Sequence, residues 1–338
     1  MKRTTLYLAL AAVLACGCAK TPSAGLNDAD KRYFDAWMQV NHPDARPTAL
    51  GAYVVSETAG TGTAAGSADS HPYVRVEYAA RALDGTVQTT TQADLARRLG
   101  TYSERSYYGP VVWVRSDNGL TAGMEEAVSG MNVGGTKSVI LPGWLQTTDR
   151  YATADEYLKN VSGTAMMYDL KLVDAITDIK KWETDSVGRY VERTFPGKAA
   201  LDSLKYGFYY FRTGAPSSDK AFPEDTTIYI NYVGRLLNGT VFDTNVKDTA
   251  KFYGLYSAGR DYSPSKVSWY SADGKYSDIK MGGSSIIDGF AYALYQMHPH
   301  EKGTAVFYSG SGYGDSGSGS SIPAFAPLRF DIEIVNEP

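Results

Sequence analysis

The chain contains an internal repeat, and this feature constrains the possible fold more than any other. Strand-like segments at residues 51–55 and 207–211 are each followed by a strand with alternating polarity, at residues 74–78 and 228–232. A hairpin turn signal then follows in each copy, Asp-Gly in the first and Asn-Gly in the second. Two such copies predict two similar folds in tandem.

Each copy also contains one short amphipathic helix and a closing strand. The residue after a glycine and the residues four and seven positions further on are apolar, which is the spacing of one helix face. The two stripes are Met124, Val128 and Met131 in the first copy, and Phe290, Leu294 and Met297 in the second. Alternating strands at residues 167–173 and 328–335 close the copies. Each copy therefore reads as an antiparallel sheet around a short helix, an α+β fold.

The length of 338 residues favours two compact domains with connecting segments. The predicted division is residues 46–176 for the first domain, 177–200 for a linker helix that sets the placement of the domains, and 201–338 for the second domain. Residues 19–45 are predicted to form a tether and a helix that starts at Asn27 or Asp28. An apolar stripe on this helix is predicted to dock on a domain, and it consists of Tyr33, Trp37 and Val40.

The first eighteen residues are typical of an export signal. Two basic residues precede an apolar run at positions 6–15, which is too short to span a bilayer but long enough for the core of a signal peptide. The run ends in small residues before a cysteine, and this resembles the lipobox of bacterial lipoproteins. The resemblance implies that Cys16 or Cys18 is acylated and that the protein is anchored by lipid in a bacterial cell envelope, at the outer membrane. A cleaved secretory peptide without lipid is the alternative.

Cysteine content and charge exclude two further features. Cys16 and Cys18 are the only cysteines, so the body of the chain has no disulfide framework. The formal net charge of −4 gives no basic surface of the kind that neutralises a phosphate backbone, and nucleic acid is therefore not an expected partner.

The second copy resembles the FKBP-type peptidyl-prolyl cis/trans isomerases. Five segments carry the resemblance in the order found in that family, at residues 228–234, 238–243, 286–297, 309–314 and 322–334. The resemblance implies two FKBP-like domains in tandem, each an antiparallel sheet wrapped around a short helix. It also implies isomerisation of X-Pro peptide bonds without a cofactor or a metal.

The family's pocket maps onto nine residues of the second copy. The resemblance implies aromatic walls from Tyr232, Phe242 and Phe330, a floor from Phe290 where tryptophan is more usual, and an aliphatic rim from Ile286 and Ile322. It also implies that the Ile287 backbone N–H and the Tyr313 hydroxyl donate hydrogen bonds to the bound peptide. Asp243 is implied to face the reacting amide or to order the tyrosine hydroxyl. An insertion at about residues 244–277 replaces the segment that supplies one further phenylalanine. Its many aromatic residues either recruit substrate or pack on their own domain.

The first copy departs from this pattern. Tyr78 and Tyr168 match wall positions, but Gln88 and Thr89 replace the Phe-Asp pair, and Thr147-Thr148 replaces the Tyr-Gly loop. We therefore expect a structural, dimerising or peptide-holding role for the first domain.

Three other motifs do not support alternative chemistry. The Gly-Asp-Ser-Gly run at residues 314–317 lacks the partner histidine and aspartate of a serine protease. His298 and His300 have no third cluster of metal ligands nearby, and a solvated loop is the better interpretation. The glycine-rich run at residues 310–319 lacks the Gly-Lys-Ser/Thr ending of a phosphate loop, and a flexible flap is the better interpretation.

Together these features predict an isomerase that assists the folding of exported, proline-containing polypeptides. The alternative is a non-catalytic peptide-binding or chaperone lipoprotein, which would bind apolar segments without accelerating prolyl exchange. An interaction scaffold that uses only its sheets is a third possibility, and in that case pocket substitutions would have no effect.

Overall fold

The computed structural model describes residues 27–198, 206–269 and 276–338. The predicted signal segment at residues 1–18, both cysteines and the tether up to residue 26 lie outside the described residues. Within the described ranges, every helix is too short or too polar to cross a membrane.

The first repeat folds into an antiparallel sheet of six strands. The strands are β1 (Tyr53–Thr58), β2 (Tyr73–Ala82), β3 (Val87–Thr90), β4 (Val111–Val114), β5 (Thr136–Leu141) and β6 (Met166–Ile176). They lie in the order β1-β5-β6-β2-β3, and β4 also pairs with β2. The alternation of buried Val74 and Val76 along β2 explains why one face of the sheet covers a core.

The second repeat has the same topology. Its described strands are β7 (Phe208–Gly214), β8 (Thr226–Leu236), β9 (Val241–Thr244), β10 (Ser265–Trp269), β11 (Lys280–Met281), β12 (Ser284–Ser285), β13 (Lys302–Phe307) and β14 (Leu328–Val335). The order β7-β13-β14-β8, with β9 and β10 both paired to β8, repeats the order β1-β5-β6-β2 with β3 and β4. The predicted α+β fold class, two antiparallel sheets with helices, is confirmed.

One short helix lies against each sheet in the predicted position. The described helices are α1 (Asp28–Asn41), α2 (Ala93–Leu99), α3 (Ala122–Val128), α4 (Ala154–Asn160), α5 (Ile179–Thr194), α6 (Lys247–Phe252) and α7 (Asp288–Gln296). In α7 and the residue after it, the stripe of Phe290, Leu294 and Met297 is buried in the second core. In the first repeat, Val128 and Met131 are buried and Met124 is partly buried, so both predicted stripes are confirmed.

Helix α7 approaches its sheet closely because Gly289 has no side chain. A Cβ atom at Gly289 would lie 2.5 Å from ring carbons of Phe307, which is fully buried. The equivalent Gly123 of α3 is less tightly enclosed, since its Cβ would lie 3.0 Å from a Leu141 methyl and 3.1 Å from the Leu145 Cβ. The second repeat therefore tolerates less volume at this position than the first.

Substitution of these two glycines provides a matched comparison. Gly289→Ala is expected to lower the free energy of unfolding by about 3 kcal/mol, the upper part of the usual range for overpacking, because the Phe307 ring must move. Gly123→Ala is expected to cost about 1 kcal/mol, since its contacts are longer and the Leu141 methyl can move, although the Leu145 Cβ and carbonyl oxygen at 3.1 and 3.3 Å are held by the backbone. Urea unfolding of both variants measures the difference, and equal losses would contradict the inferred crowding at Phe307.

Helix α1 docks on the first domain, but of the predicted stripe only Trp37 packs against the core, and it is partly buried. Phe34 and Met38 are the buried residues, whereas Tyr33 and Val40 are exposed. Phe34 makes an edge contact with Trp144 at 5.4 Å between ring centroids. The prediction was wrong for Tyr33 and Val40, because burial is decided by Trp144, which is distant in sequence, and not by the helix alone. The Asn27 side chain also does not cap the helix, since it donates to the carbonyl groups of Leu158 and Val161.

The predicted linker helix, α5, is continuous through Gly188 and packs on the second sheet. Val187 and Val191 form a small core with Phe211 of β7 and Val306 of β13. Phe195, just after the helix, stacks on Phe211 with 4.4 Å between ring centroids. Helix α5 is thus a packed layer on the outer face of the C-terminal domain as well as a connection.

The segment predicted as an insertion, at about residues 244–277, is longer than the part of it that has no counterpart in the first repeat. Residues 245–264 connect β9 to β10 through α6, and residues 91–110 of equal length connect β3 to β4 through α2. Strand β10 pairs with β8 as β4 pairs with β2. The extra residues of the second repeat therefore lie between β10 and α7, where the chain is longer than between β4 and α3.

Candidate active site

The candidate site is built on the core-facing side of the second sheet, where β8 meets β9. Tyr232 is an inward-facing residue of β8 and is buried. Asp243 of β9 lies opposite Gly234 of β8 in the sheet register. This register brings the Tyr232 hydroxyl to the Asp243 carboxylate, to which it donates a hydrogen bond of 2.6 Å to Oδ2.

Arg260 completes this polar group from the loop after α6. Its Nη1 lies 2.6 Å from Asp243 Oδ1, and its Nη2 donates to the Tyr232 hydroxyl oxygen at 3.3 Å. The carboxylate therefore has one oxygen bound by the guanidinium and the other by the phenol. About a third of each charged side chain remains exposed, so the ion pair lies at the edge of the site and not in the core.

Four aromatic rings form a cup beside the polar group. Phe290 at the start of α7 lies 4.7 Å from Phe330 and 5.6 Å from Tyr232, measured between ring centroids. Phe242 makes an edge contact with Phe330 at 5.6 Å. Gly234 permits this arrangement, because a Cβ atom there would lie 2.6 Å from the Phe242 ring. The cup is thus apolar at its floor and walls.

The remaining predicted residues surround the cup. Ile322 is buried in the same core as Phe290 and Phe330, and Ile286 and Ile287 pack against that core. Within the described residues, the Ile287 amide N–H donates to no acceptor, as expected at the N-terminus of α7. Tyr313 is 37% exposed, and its hydroxyl also has no hydrogen-bond partner among the described residues. Two donors are therefore available to a bound molecule.

Burial and a nearby charge keep the two tyrosines protonated. Burial raises the pKa of Tyr232 well above its ordinary value, and the negative charge of Asp243 raises it further, although Arg260 opposes the shift. The pKa of Tyr313 is raised by the same two causes, burial first and then Asp243. Both hydroxyl groups therefore remain hydrogen-bond donors throughout the physiological pH range.

Five of the nine predicted residues are in mutual contact, namely Tyr232, Phe242, Asp243, Phe290 and Phe330. Ile286, Ile287 and Ile322 lie in or against the same core, and Tyr313 lies close enough to Asp243 for its charge to raise the tyrosine pKa. The role of each residue remains a prediction. Arg260 was missed by the sequence analysis. It stands seventeen positions after Asp243, and neither motif nor periodicity connects the two residues. The fold brings them together because the loop after α6 returns to the end of β9.

The equivalent place in the first repeat lacks the polar group. Thr89 pairs with Ala80 as Asp243 pairs with Gly234, so a hydroxyl replaces the carboxylate. Trp113 of β4 packs against Tyr78, with ring centroids 5.2 Å apart, and is almost fully buried. A tryptophan side chain thus occupies space next to the tyrosine that corresponds to Tyr232.

No arrangement for a metal is present in the described part of the chain. No three histidine, cysteine or carboxylate side chains converge there. His298 instead lies 3.1 Å from the fully buried Glu301, which also accepts a hydrogen bond from Tyr210. This group supports the turn after α7.

A separate cavity of about 580 Å³ lies in the first domain, between α1 and residues 162–165. It contains none of the aromatic and polar residues described above, and we assign it no role.

Comparison with known proteins gives a family match for the C-terminal domain. Residues 218–335 match the family model of the FKBP-type peptidyl-prolyl cis-trans isomerases, and this range contains the whole cup together with Asp243 and Arg260. Residues 218–335 therefore resemble the FKBP-type isomerases, and we call the domain that contains them the FKBP-type domain. The predicted resemblance is confirmed for it.

Relatives of the FKBP-type domain occur in plants and bacteria. The chain is 26% identical over 159 residues to the peptidyl-prolyl cis-trans isomerase FKBP53 of Arabidopsis thaliana, covering 46% of this chain and 26% of that protein. It is 27% identical over 108 residues to the FKBP-type 22 kDa peptidyl-prolyl cis-trans isomerase of Escherichia coli, covering 32% of this chain and 39% of the relative. The chain thus spans well under half the length of these relatives.

Among solved structures, the three FKBP domains of wheat FKBP73 align with 84% of this chain and 94% of that chain. The sequence identity is 16% and the TM-score is 0.30.

Proposed function

We propose that the chain is a peptidyl-prolyl cis/trans isomerase that acts through its FKBP-type domain. The observation that carries the proposal is the aromatic cup with the Tyr232–Asp243–Arg260 group at its edge and two unpaired donors at its rim. This combination suits a reaction that needs an apolar environment and a held peptide, and no nucleophile.

The cup would lower the barrier by favouring the twisted amide. Rotation about a peptide bond costs about 18–20 kcal/mol because it destroys the amide resonance. The twisted amide has a smaller carbonyl dipole than the planar one, so transfer from water to an apolar cup favours the transition state over the ground state. Phe290, Phe330 and Phe242 supply that apolar surface.

The two donors would fix the peptide relative to the cup. The Tyr313 hydroxyl and the Ile287 N–H can each donate to a carbonyl group of the chain on either side of the proline. Asp243 would act by fixing the Tyr232 ring and the loop of Arg260, because both carboxylate oxygens are already engaged. The catalytic effect would then arise from position and environment and not from proton transfer.

We further propose that the substrates are exported, proline-containing polypeptides in a bacterial envelope. The support for this is the amino-terminal sequence, with its apolar run and its two cysteines, one of which would carry a lipid anchor. The first domain, residues 46–176, would serve a non-catalytic role, since Thr89 and Gln88 replace the Asp243 and Phe242 of the second repeat.

The proposal is tested by the exchange rate of an Ala-Leu-Pro-Phe peptide, measured by NMR with the full chain. We expect the wild type to accelerate exchange and Asp243→Ala or Tyr313→Ala to reduce kcat/KM by about tenfold or more, because the peptide is no longer held in position. Thr89→Ala is the matched control, since Thr89 is the counterpart of Asp243 in the first repeat. A folded wild type without acceleration, or equal effects of Asp243→Ala and Thr89→Ala, would refute the proposal.

One observation favours the alternative of a non-catalytic holding protein. The Phe252 side chain at the end of α6 is 81% exposed, and Tyr256 in the following loop is also exposed. Other aromatic residues of the predicted insertion pack inward, since Trp269 is buried and Tyr276 lies on the core. A holding protein would suppress aggregation of an unfolded client through Phe252, and Phe252→Ser would abolish that effect without changing peptide exchange.

A further inference from the structure

Two loops of the FKBP-type domain carry groups of the candidate site. The rim loop, residues 245–264, holds Arg260. The flap, residues 309–327, holds Tyr313 and Ile322. Arg260 binds Asp243, and Ile322 lies in the same core as Phe290 and Phe330, so both loops border the cup.

The rim loop has a close structural copy in the first domain. Residues 91–110 share its left-handed glycine after the short helix, with φ of +70° at Gly100 and +69° at Gly254. A pair of tyrosines stacks in both loops, at 5.0 Å for Tyr102 with Tyr108 and at 5.4 Å for Tyr256 with Tyr262. In this alignment Ser106 stands where the second domain has Arg260. The first-domain loop keeps its shape but has lost the charged group.

This first-domain loop contacts both the rim loop and the flap. Arg105 Nη2 donates to the carbonyl oxygens of Leu255 and Tyr256, at 2.9 and 3.3 Å. The Arg105 carbonyl accepts a hydrogen bond from Ser320 Oγ at 3.4 Å, and the Tyr107 N–H donates to the Ser320 carbonyl at 2.7 Å. A single segment of the first domain therefore joins the two loops that bound the cup.

The flap is held at two further points by residues outside the C-terminal sheet. Tyr73 of β2 makes an edge contact with Phe325, with 5.5 Å between ring centroids. Phe325 has a φ of +57°, which is unfavourable for a residue other than glycine and persists only where surrounding contacts impose it. At the start of the flap, the Glu183 carboxylate of α5 accepts hydrogen bonds from the Ser309 N–H at 2.8 Å and its hydroxyl at 2.9 Å.

We infer that Arg105 and Tyr107 are positioning residues for the proposed isomerase site, although they belong to the domain that lacks the catalytic groups. They fix the rim loop and the flap relative to each other, so that Arg260 and Tyr313 face the same peptide. The expected change in the kinetics of prolyl exchange rests on the proposed function. The inference also has a structural consequence that can be measured without catalysis.

The test compares Arg105→Ala, Arg105→Lys and Arg98→Ala in the full chain. Arg98 is an exposed arginine of α2 without a hydrogen bond or ion pair among the described residues, so Arg98→Ala controls for loss of charge. Arg105 is itself exposed, and its removal leaves both cores intact. Hydrogen exchange of the rim-loop and flap amides and the kcat and KM for prolyl exchange in a peptide are measured for each variant.

Arg105→Ala removes the hydrogen bonds to the Leu255 and Tyr256 carbonyl oxygens and keeps the backbone contacts with Ser320. We therefore expect it to speed exchange of the rim-loop amides and to raise KM so that kcat/KM falls about tenfold, with kcat changed less. Arg105→Lys should recover part of both effects, because an ammonium group can still donate to the Leu255 carbonyl. Rim-loop exchange equal to that of Arg98→Ala would overturn the inference, and so would faster exchange with unchanged kinetics. If the wild type shows no isomerase activity, the proposed function fails, and the exchange data alone still decide whether Arg105 braces the two loops.

Discussion

Replacing Phe290 by alanine is expected to lower the free energy of unfolding by about 3–5 kcal/mol, the largest effect of any single substitution considered for this protein. Only 3% of the Phe290 side chain is exposed, and its ring contacts both Tyr232 and Phe330. Deletion of the ring removes buried apolar surface and leaves a cavity that the rigid sheet cannot close. The loss also removes the floor of the cup, so prolyl exchange should fall toward the uncatalysed rate even at low temperature, where the variant remains folded.

Urea unfolding followed by circular dichroism measures the stability change, and Phe252→Ala provides the control. Phe252 is an exposed phenylalanine in the same domain, and its substitution should change the free energy of unfolding by less than about 0.5 kcal/mol. Similar losses in the two variants would show that the Phe290 ring is not part of a packed core.

Glu183 is expected to make the chain less stable as the pH rises from about 5 to 8. Its side chain is 2% exposed, and burial raises its pKa from 4.5 to about 7, although the hydrogen bonds from Ser309 act in the opposite direction. Between these two values the folded state retains a proton that the unfolded chain has released. The stabilising contribution is therefore complete below pH 4.5 and is lost as the pH rises through 7, and its full size is about 3 kcal/mol.

The Glu183→Gln variant isolates this contribution. A glutamine can accept from the Ser309 N–H and donate to the Ser309 hydroxyl oxygen, so the contacts remain while the titration is removed. The free energy of unfolding is measured at pH 5 and pH 8 for both proteins, and the wild type should lose more stability between the two values than the variant. Parallel profiles would show that Glu183 does not titrate in this range.

The parts of the fold that follow from local patterns could be predicted from the sequence. The helix of Phe290, Leu294 and Met297 and the alternating strand that carries Tyr232 each bury one regularly spaced face, and such spacing is visible in the chain. The contact between Tyr232 and Asp243 could also be predicted from the sequence, because a single hairpin places the two residues on neighbouring strands.

Other features depend on residues that are distant in the chain and could not be predicted in this way. Helix α1 has apolar residues on two faces, and Trp144 determines that Phe34 and not Tyr33 is buried. Arg260 reaches Asp243 only because its loop folds back over the sheet. The equivalence of that loop with residues 91–110 did have a signal, since a glycine and two tyrosines recur at the same spacing in both repeats.

The packing of α5 determines where the molecule can be divided. A fragment that begins at β7 would keep every residue of the cup, yet it would expose Phe211 and Val306 to water and leave Ser309 without its carboxylate acceptor. An uncovered apolar surface of this kind favours self-association. The smallest portion that can be grafted onto another protein as a soluble module should therefore begin before Ile179. Helix α5, which connects the two sheets in sequence, is a structural part of the C-terminal domain.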